Sequence, residues 1–239
     1  MARGGRPRER SAGRAAGRPL GTVPDDRALM RLHVDALFTH DARGRLLRVN
    51  EPDGGPAPRF FRGDTALGVE RRFRHDLDDA LVDALTRADD VEAATAILSR
   101  AAPVEHTWAG PAYAFPHDLP PSGAVRVTAA NADLLRPHLE PWLVDVAHGV
   151  TVLASLHDGR AVAVCGSVRI THAAHEAGVE TARDFRGRGH ARAAVAAWAA
   201  AVREQGAAPL YSTSWENAAS QALARSLGLR RFGDDLHIT

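Results

Sequence analysis

The sequence has no lysine: all 30 of its basic residues are arginine. Cysteine occurs once, which excludes an internal disulfide and any zinc site built from several thiolates. Cys165 sits in the apolar run Ala161–Val168, so it reads as a small buried hydrophobe and not as a nucleophile. Long hydrophobic runs are missing too, and none approaches the roughly 20 residues that span a bilayer. No apolar stretch follows the N-terminal arginines, as a secretory leader would require. No membrane association and a reducing, cytoplasmic setting are therefore expected. Excess charge of one sign is also lacking, because the net charge is +1. It is unevenly placed: residues 1–24 carry six arginines against Glu9, while in the remainder acids outnumber arginines. Such a body is not a nucleic-acid-binding domain by charge.

What is present suits one large or two small globular domains: 239 residues, 45% of them hydrophobic. Residues 1–24 have almost no apolar content and are expected to be a disordered basic tail. A basic arm for acidic partners and a gene start assigned too early, with Met30 as the true start, are both open readings of it. Residues 25–121 read as an α/β module. The turn at Asp41–Gly44 lies between two strand-like runs, Ala36–His40 and Arg45–Val49. Asp76, Asp78 and Asp79 precede an amphipathic run to Ala88, where they suit a helix N-terminus. His33, His40, His75 and Asp41 lack the spacing of one metal site, so no metal is expected. The proline-rich stretch Gly110–Gly123 reads as a connection, which puts a second domain at 122–239.

That second part is more regular, with strands alternating with helical periodicity. Its centre is Glu176–Gly206, a strand followed by a glycine-arginine turn and a long amphipathic helix with Ala194, Val195, Trp198, Ala201 and Val202 on one face. The first N–H groups of such a helix have no partners within it and can hold a phosphate. The turn itself, Arg186, Gly187, Arg188, Gly189, His190 and Ala191, fits Arg-x-x-Gly-x-Ala. So do Arg10–Ala15 and Arg203–Ala208. Of the three, the turn at Arg186 follows a strand and opens a helix.

Taken together, GVETARDFRGRGHARAAVAAW, PLYSTSWENAAS and ARSLGL resemble the GNAT superfamily of N-acetyltransferases over about residues 124–239, and VRVTAANADLL resembles that family's opening strand and helix. The resemblance implies an α/β fold with a splayed mixed sheet flanked by helices, here with an N-terminal α/β module added. It implies acetyl-coenzyme A as cosubstrate, its pyrophosphate on Arg186–Ala191 and its pantetheine beside Val179–Thr181, with Asn217 at a position that often contacts pantetheine. It implies a small-molecule or peptide amine as acceptor, and a monomer or homodimer.

Glu180, at the centre of the strand, and His175, expected at its mouth, are the candidate catalytic bases. Glu180 could instead pair with Arg169 or Arg183, and His175 could be a loop histidine. Ala224 stands where the family often carries a tyrosine acid, which leaves Ser220 or Tyr211 to donate that proton. It also leaves open a non-catalytic coenzyme A sensor on the same fold. Only eleven residues follow Gly228, enough for one strand, Arg230–His237, where the resemblance implies two, so a strand from Met30–Arg74 is expected to complete the sheet.

Overall fold

The computed structural model describes residues 24–239; the basic segment 1–23 lies outside the described residues. Aspartates start the early helices. Asp25 accepts from Ala28 N at 2.8 Å and opens helix α1 (Asp26–Leu37). Asp78 and Asp90 do the same for α2 (Asp79–Thr86) and α3 (Val91–Ala101). Each such cap is worth about 1 kcal/mol. Between α1 and α2 lie the hairpin β1 (Phe38–His40) and β2 (Leu46–Val49), then β3 (Phe60–Thr65) and β4 (Gly68–Phe73). After α3 come β5 (Thr107–Ala114) and β6 (Val125–Val127). A 3-10 segment, Ala129–Leu135, is opened by the Asn131 side chain accepting the Thr128 N–H. The chain continues with α4 (Leu143–Ala147), β7 (Val152–His157), β8 (Arg160–Ile170), β9 (Ala174–Thr181), α5 (His190–Glu204), β10 (Ala208–Ser212), α6 (Ala218–Ser226) and β11 (Arg230–Ile238).

Nine strands form one mixed sheet in the order β4-β3-β11-β5-β10-β9-β8-β7-β6. The β9–β10 pair is parallel and its neighbours are antiparallel. The expected division at 121/122 has no counterpart in this sheet. Gly110–Ala114, read as linker, is the second half of β5, which lies between β11 and β10. Pro111 is tolerated there because its carbonyl faces Thr213 N (3.3 Å), one residue past the end of β10. In an antiparallel strand a residue's N–H points the same way as its carbonyl, so the one bond that proline forgoes is to Thr213, at the end of the β5–β10 ladder. As anticipated, β3 from the N-terminal half pairs with β11.

Helix α5 packs on one face of the sheet, where Trp198 is fully buried with Tyr113, Phe115 and Tyr211. Helix α1 covers the other face with Leu29, Met30 and Val34 against Phe61, Leu210 and Phe232. Alternation along the strands assigns each side chain to one of these faces. On β9, Ala177 and Val179 belong to the α5 side, while Glu176 turns to α1.

Candidate active site

A cleft opens where β9 and β10 part. Their ladder joins Ala174–Glu176 to Ala208–Leu210 and goes no further. Beyond it, β10 follows β5 through Tyr211 and Ser212, and β9 follows β8 to Thr181. The cavity between them measures about 930 Å³, the size of a small-molecule site. Val179, Glu180 and Thr181 line one wall; Tyr211, Ser212 and Thr213 line the other.

The glycine turn closes one end. Gly187 (φ 73°) and Gly189 (φ 85°) both adopt the left-handed region, which costs other L-residues roughly 1–2 kcal/mol. Gly189 is the N-cap of α5. Arg186, Gly187, Gly189, His190 and Ala191 all line the cavity. Arg186 Nε donates to Thr181 O at 3.2 Å, tying the turn to the end of β9. His190 Nδ1 lies 2.9 Å from Ser155 Oγ on β7. Burial, followed by the charges of His157 and Arg188, lowers its pKa below the ordinary 6.5, so His190 is neutral at pH 7 and the arginines supply the positive field. Arg188 lies off the lining and packs its guanidinium 5.6 Å from the centre of the Phe185 ring.

An exposed run of unpaired N–H groups at the start of a fifteen-residue helix favours an anion. The open edge of β9 continues from it with unpaired backbone groups, able to receive an extended chain. The arrangement therefore fits a ligand with an anionic end and a long polar arm.

The catalytic candidates separate. Glu180 is exposed on the cleft wall, and its Oε2 accepts from Trp142 Nε1 at 2.7 Å. Neither expected arginine pairs with it; Arg169 binds Glu51. The indole lies across Gly166 and Gly178, where a Cβ would meet it at 2.3 Å and 3.2 Å. His175 is the second residue of β9, but it does not line the cleft. It is buried on the α5 side, with Nδ1 3.0 Å from Ser167 Oγ, which also accepts from Trp198 Nε1 at 3.0 Å. Alternation sends it beneath α5, away from the cleft lining, and burial lowers its pKa.

Asn217 lines the cavity and caps α6, accepting from Ser220 N at 3.0 Å. Ala224 is fully buried in the core beneath α5. Tyr211 and Ser220 both line the cavity, with 2.5 Å between their hydroxyl oxygens. Burial pushes the Tyr211 pKa up to about 12, against the opposing effect of the Ser220 hydrogen bond, so Tyr211 keeps its proton at neutral pH. Trp142, Ser212 and the buried surroundings of Glu176 carry no motif and were not singled out from sequence.

The GNAT acetyltransferase family model matches residues 147–233, from the last residue of α4 into β11. Those residues are a GNAT acetyltransferase domain. Within it fall the splayed strands, the glycine turn and helices α5 and α6. Solved structures similar to this chain include a GNAT-family acetyltransferase from Novosphingobium aromaticivorans, at 20% identity over 56% of this chain with a TM-score of 0.43. The chain spans 65% of the length of that protein. A GNAT-family acetyltransferase from Colwellia psychrerythraea is 14% identical, covering 71% of this chain and 75% of its own, with a TM-score of 0.46. A GCN5-related N-acetyltransferase-like protein from Streptococcus suis is 15% identical, covering 77% and 85%, with a TM-score of 0.47. No curated protein matches the sequence. The GNAT match leaves α1 and β1 to β6 outside, although β3 and β5 flank its final strand. Among the described residues no cluster of three or more histidine, cysteine or acidic side chains could hold a metal, and no helix is long and apolar enough to cross a membrane.

Proposed function

We propose that the chain is an N-acetyltransferase that moves an acetyl group from acetyl-coenzyme A to the primary amine of a small molecule or peptide. One observation carries the reading above the others. The β9–β10 ladder stops after three residue pairs, and the freed edge of β9 leads directly into the glycine turn that opens α5. Gly187, Arg188, Gly189, His190 and Ala191 would hold the pyrophosphate through backbone N–H groups, with Arg186 adding charge. Val179 and Thr181 would pair with pantetheine as a strand pairs with a sheet edge. Asn217 stands on the opposite side of the same cavity. When bound, acetyl-coenzyme A supplies the activated thioester.

The chain's own groups then have separate tasks. A backbone N–H on the open part of β9 stabilises the oxyanion. Glu180, exposed and oriented by Trp142, attracts a cationic acceptor. Tyr211, protonated and held by Ser220, delivers a proton to the departing sulfur. This pair provides the acid missing at Ala224, which was the feature that had favoured a sensor. The test is release of coenzyme A thiol from acetyl-coenzyme A by the purified chain with a panel of amines, amino acids and peptides. The expected result is thiol release that requires an amine and yields its N-acetyl product. Tight binding of acetyl-coenzyme A without turnover by any acceptor would make the protein a binding module instead.

A further inference from the structure

Beneath the α1 side of the cleft lies a group of charges that the acetyl-transfer reading leaves unused. His33 of α1 is completely buried, its Nδ1 2.6 Å from Glu176 Oε1 and its Nε2 2.8 Å from Asp235 Oδ2. His237 Nε2 reaches the same Asp235 oxygen at 3.0 Å. Burial alone would lower the His33 pKa, but the charges of Glu176 and Asp235 and their hydrogen bonds raise it to about 10. His33 is therefore an imidazolium donating from both nitrogens. Asp235 is held at about 2, because the cation and hydrogen bonds of His33 and His237 outweigh its burial.

Two carboxylates and two histidines thus share this site, with His237 the less buried partner of Asp235. A buried ion pair is weak evidence of a stabilising role, so the cluster calls for another explanation. Its position supplies one. Glu176 lies opposite Leu210, in the last β9–β10 pair before the strands part. Its free oxygen, Oε2, is 3.5 Å from Ser212 Oγ, and Ser212 lines the cleft. Hydrogen bonds of catalytic groups are often this long before the substrate is present. Arg169, the cross-strand neighbour of Glu176 on β8, gives its guanidinium to Glu51. β3 and β11 add the Phe61 and Phe232 rings. Glu176 thus faces one cation, His33, and one hydroxyl that opens to the cleft.

We propose that Glu176 accepts the proton of the acceptor ammonium through the Ser212 hydroxyl, and that His33 is the positioning residue that keeps Glu176 aimed at Ser212. The inference rests on the acetyl-transfer reading. The ammonium N–H bond breaks and its proton passes to Ser212 Oγ while the Ser212 proton passes to Glu176 Oε2. The nitrogen keeps the electron pair with which it attacks. Nothing is oxidised or reduced, and the proton returns to water through the cleft between turnovers. Glu180 is left to attract the ammonium, with one of its oxygens occupied by Trp142.

The experiment measures kcat and the amine KM separately for the wild-type enzyme, His33→Gln and Ser212→Ala, using acetyl-coenzyme A and an amine that the wild type acetylates, with acetyl-coenzyme A affinity measured separately. His33 holds Glu176 Oε1 at 2.6 Å, so its removal frees the carboxylate from its aim at Ser212. His33→Gln should therefore lower kcat at least tenfold and leave acetyl-coenzyme A affinity within about threefold. Ser212→Ala should lower kcat at least tenfold. A folded His33→Gln enzyme that binds acetyl-coenzyme A and keeps the wild-type kcat overturns the inference and leaves the acetyl-transfer reading intact. Unchanged kcat in Ser212→Ala does the same, and is the deciding readout if His33→Gln does not fold. A wild-type protein that turns over no amine overturns both.

Discussion

Tyr211 and Tyr113 are the only tyrosines in the chain, and they sit on adjacent strands with ring centres 6.4 Å apart. Tyr113 is core, whereas Tyr211 reaches the cleft and Ser220. Tyr211→Phe keeps the ring and its packing but removes the proton. The expected outcome is a roughly hundredfold fall in kcat, a change of less than about threefold in acetyl-coenzyme A affinity, and a stability loss near 1 kcal/mol for the hydrogen bond. Steady-state kinetics, calorimetric binding and a denaturant melt check the three. Unaltered kcat would remove Tyr211 from the mechanism. This residue was legible only as an alternative, because its partner Ser220 is nine positions away on another element. His175 was misplaced for a related reason: its neighbours Ser167 and Trp198 come from β8 and α5, and local spacing carries no information about them.

At the scale of elements, α5 with its glycine turn was the most legible part of the chain. An N-terminus is a local property: two glycines free to take positive φ, unpaired N–H groups, and an apolar stripe with a period of 3.6 residues. Helix α1 went unread although Leu29, Met30, His33 and Val34 follow helical spacing behind the capping Asp25, because a buried histidine interrupts the apolar pattern. The anchoring of α5 depends on Trp198, which is fully buried beside Phe115 (5.8 Å between ring centres) and bonded to Ser167. Trp198→Ala leaves a large cavity and removes one of the two partners of Ser167 Oγ, and should cost roughly 3–5 kcal/mol. Urea denaturation measures this. A loss below about 1 kcal/mol would mean that the helix is held mainly elsewhere.

At the scale of the molecule, the GNAT domain does not stand apart from the rest of the chain. β11 has β3 on one side and β5 on the other, and β5 also completes β10. A fragment of residues 122–239 would expose both edges of β11 and one of β10, together with the apolar face under α1. Bare, apolar edges of that kind lead to aggregation. The fragment is expected to be insoluble or to unfold without cooperativity by circular dichroism, whereas a soluble, cooperatively folding fragment would show that the N-terminal strands are accessory. The sequence by itself determined the glycine turn, its helix, the order of elements from β7 to β11 and the need for a strand from the N-terminal half, because each follows from local periodicity, turn chemistry or chain length. Tertiary structure alone decided that Gly110–Ala114 is a central strand, that Glu180 answers to Trp142, and that Glu176 and Asp235 converge on His33. Those contacts join residues 38, 143 and 202 positions apart, and strand order, not neighbouring sequence, brings them together.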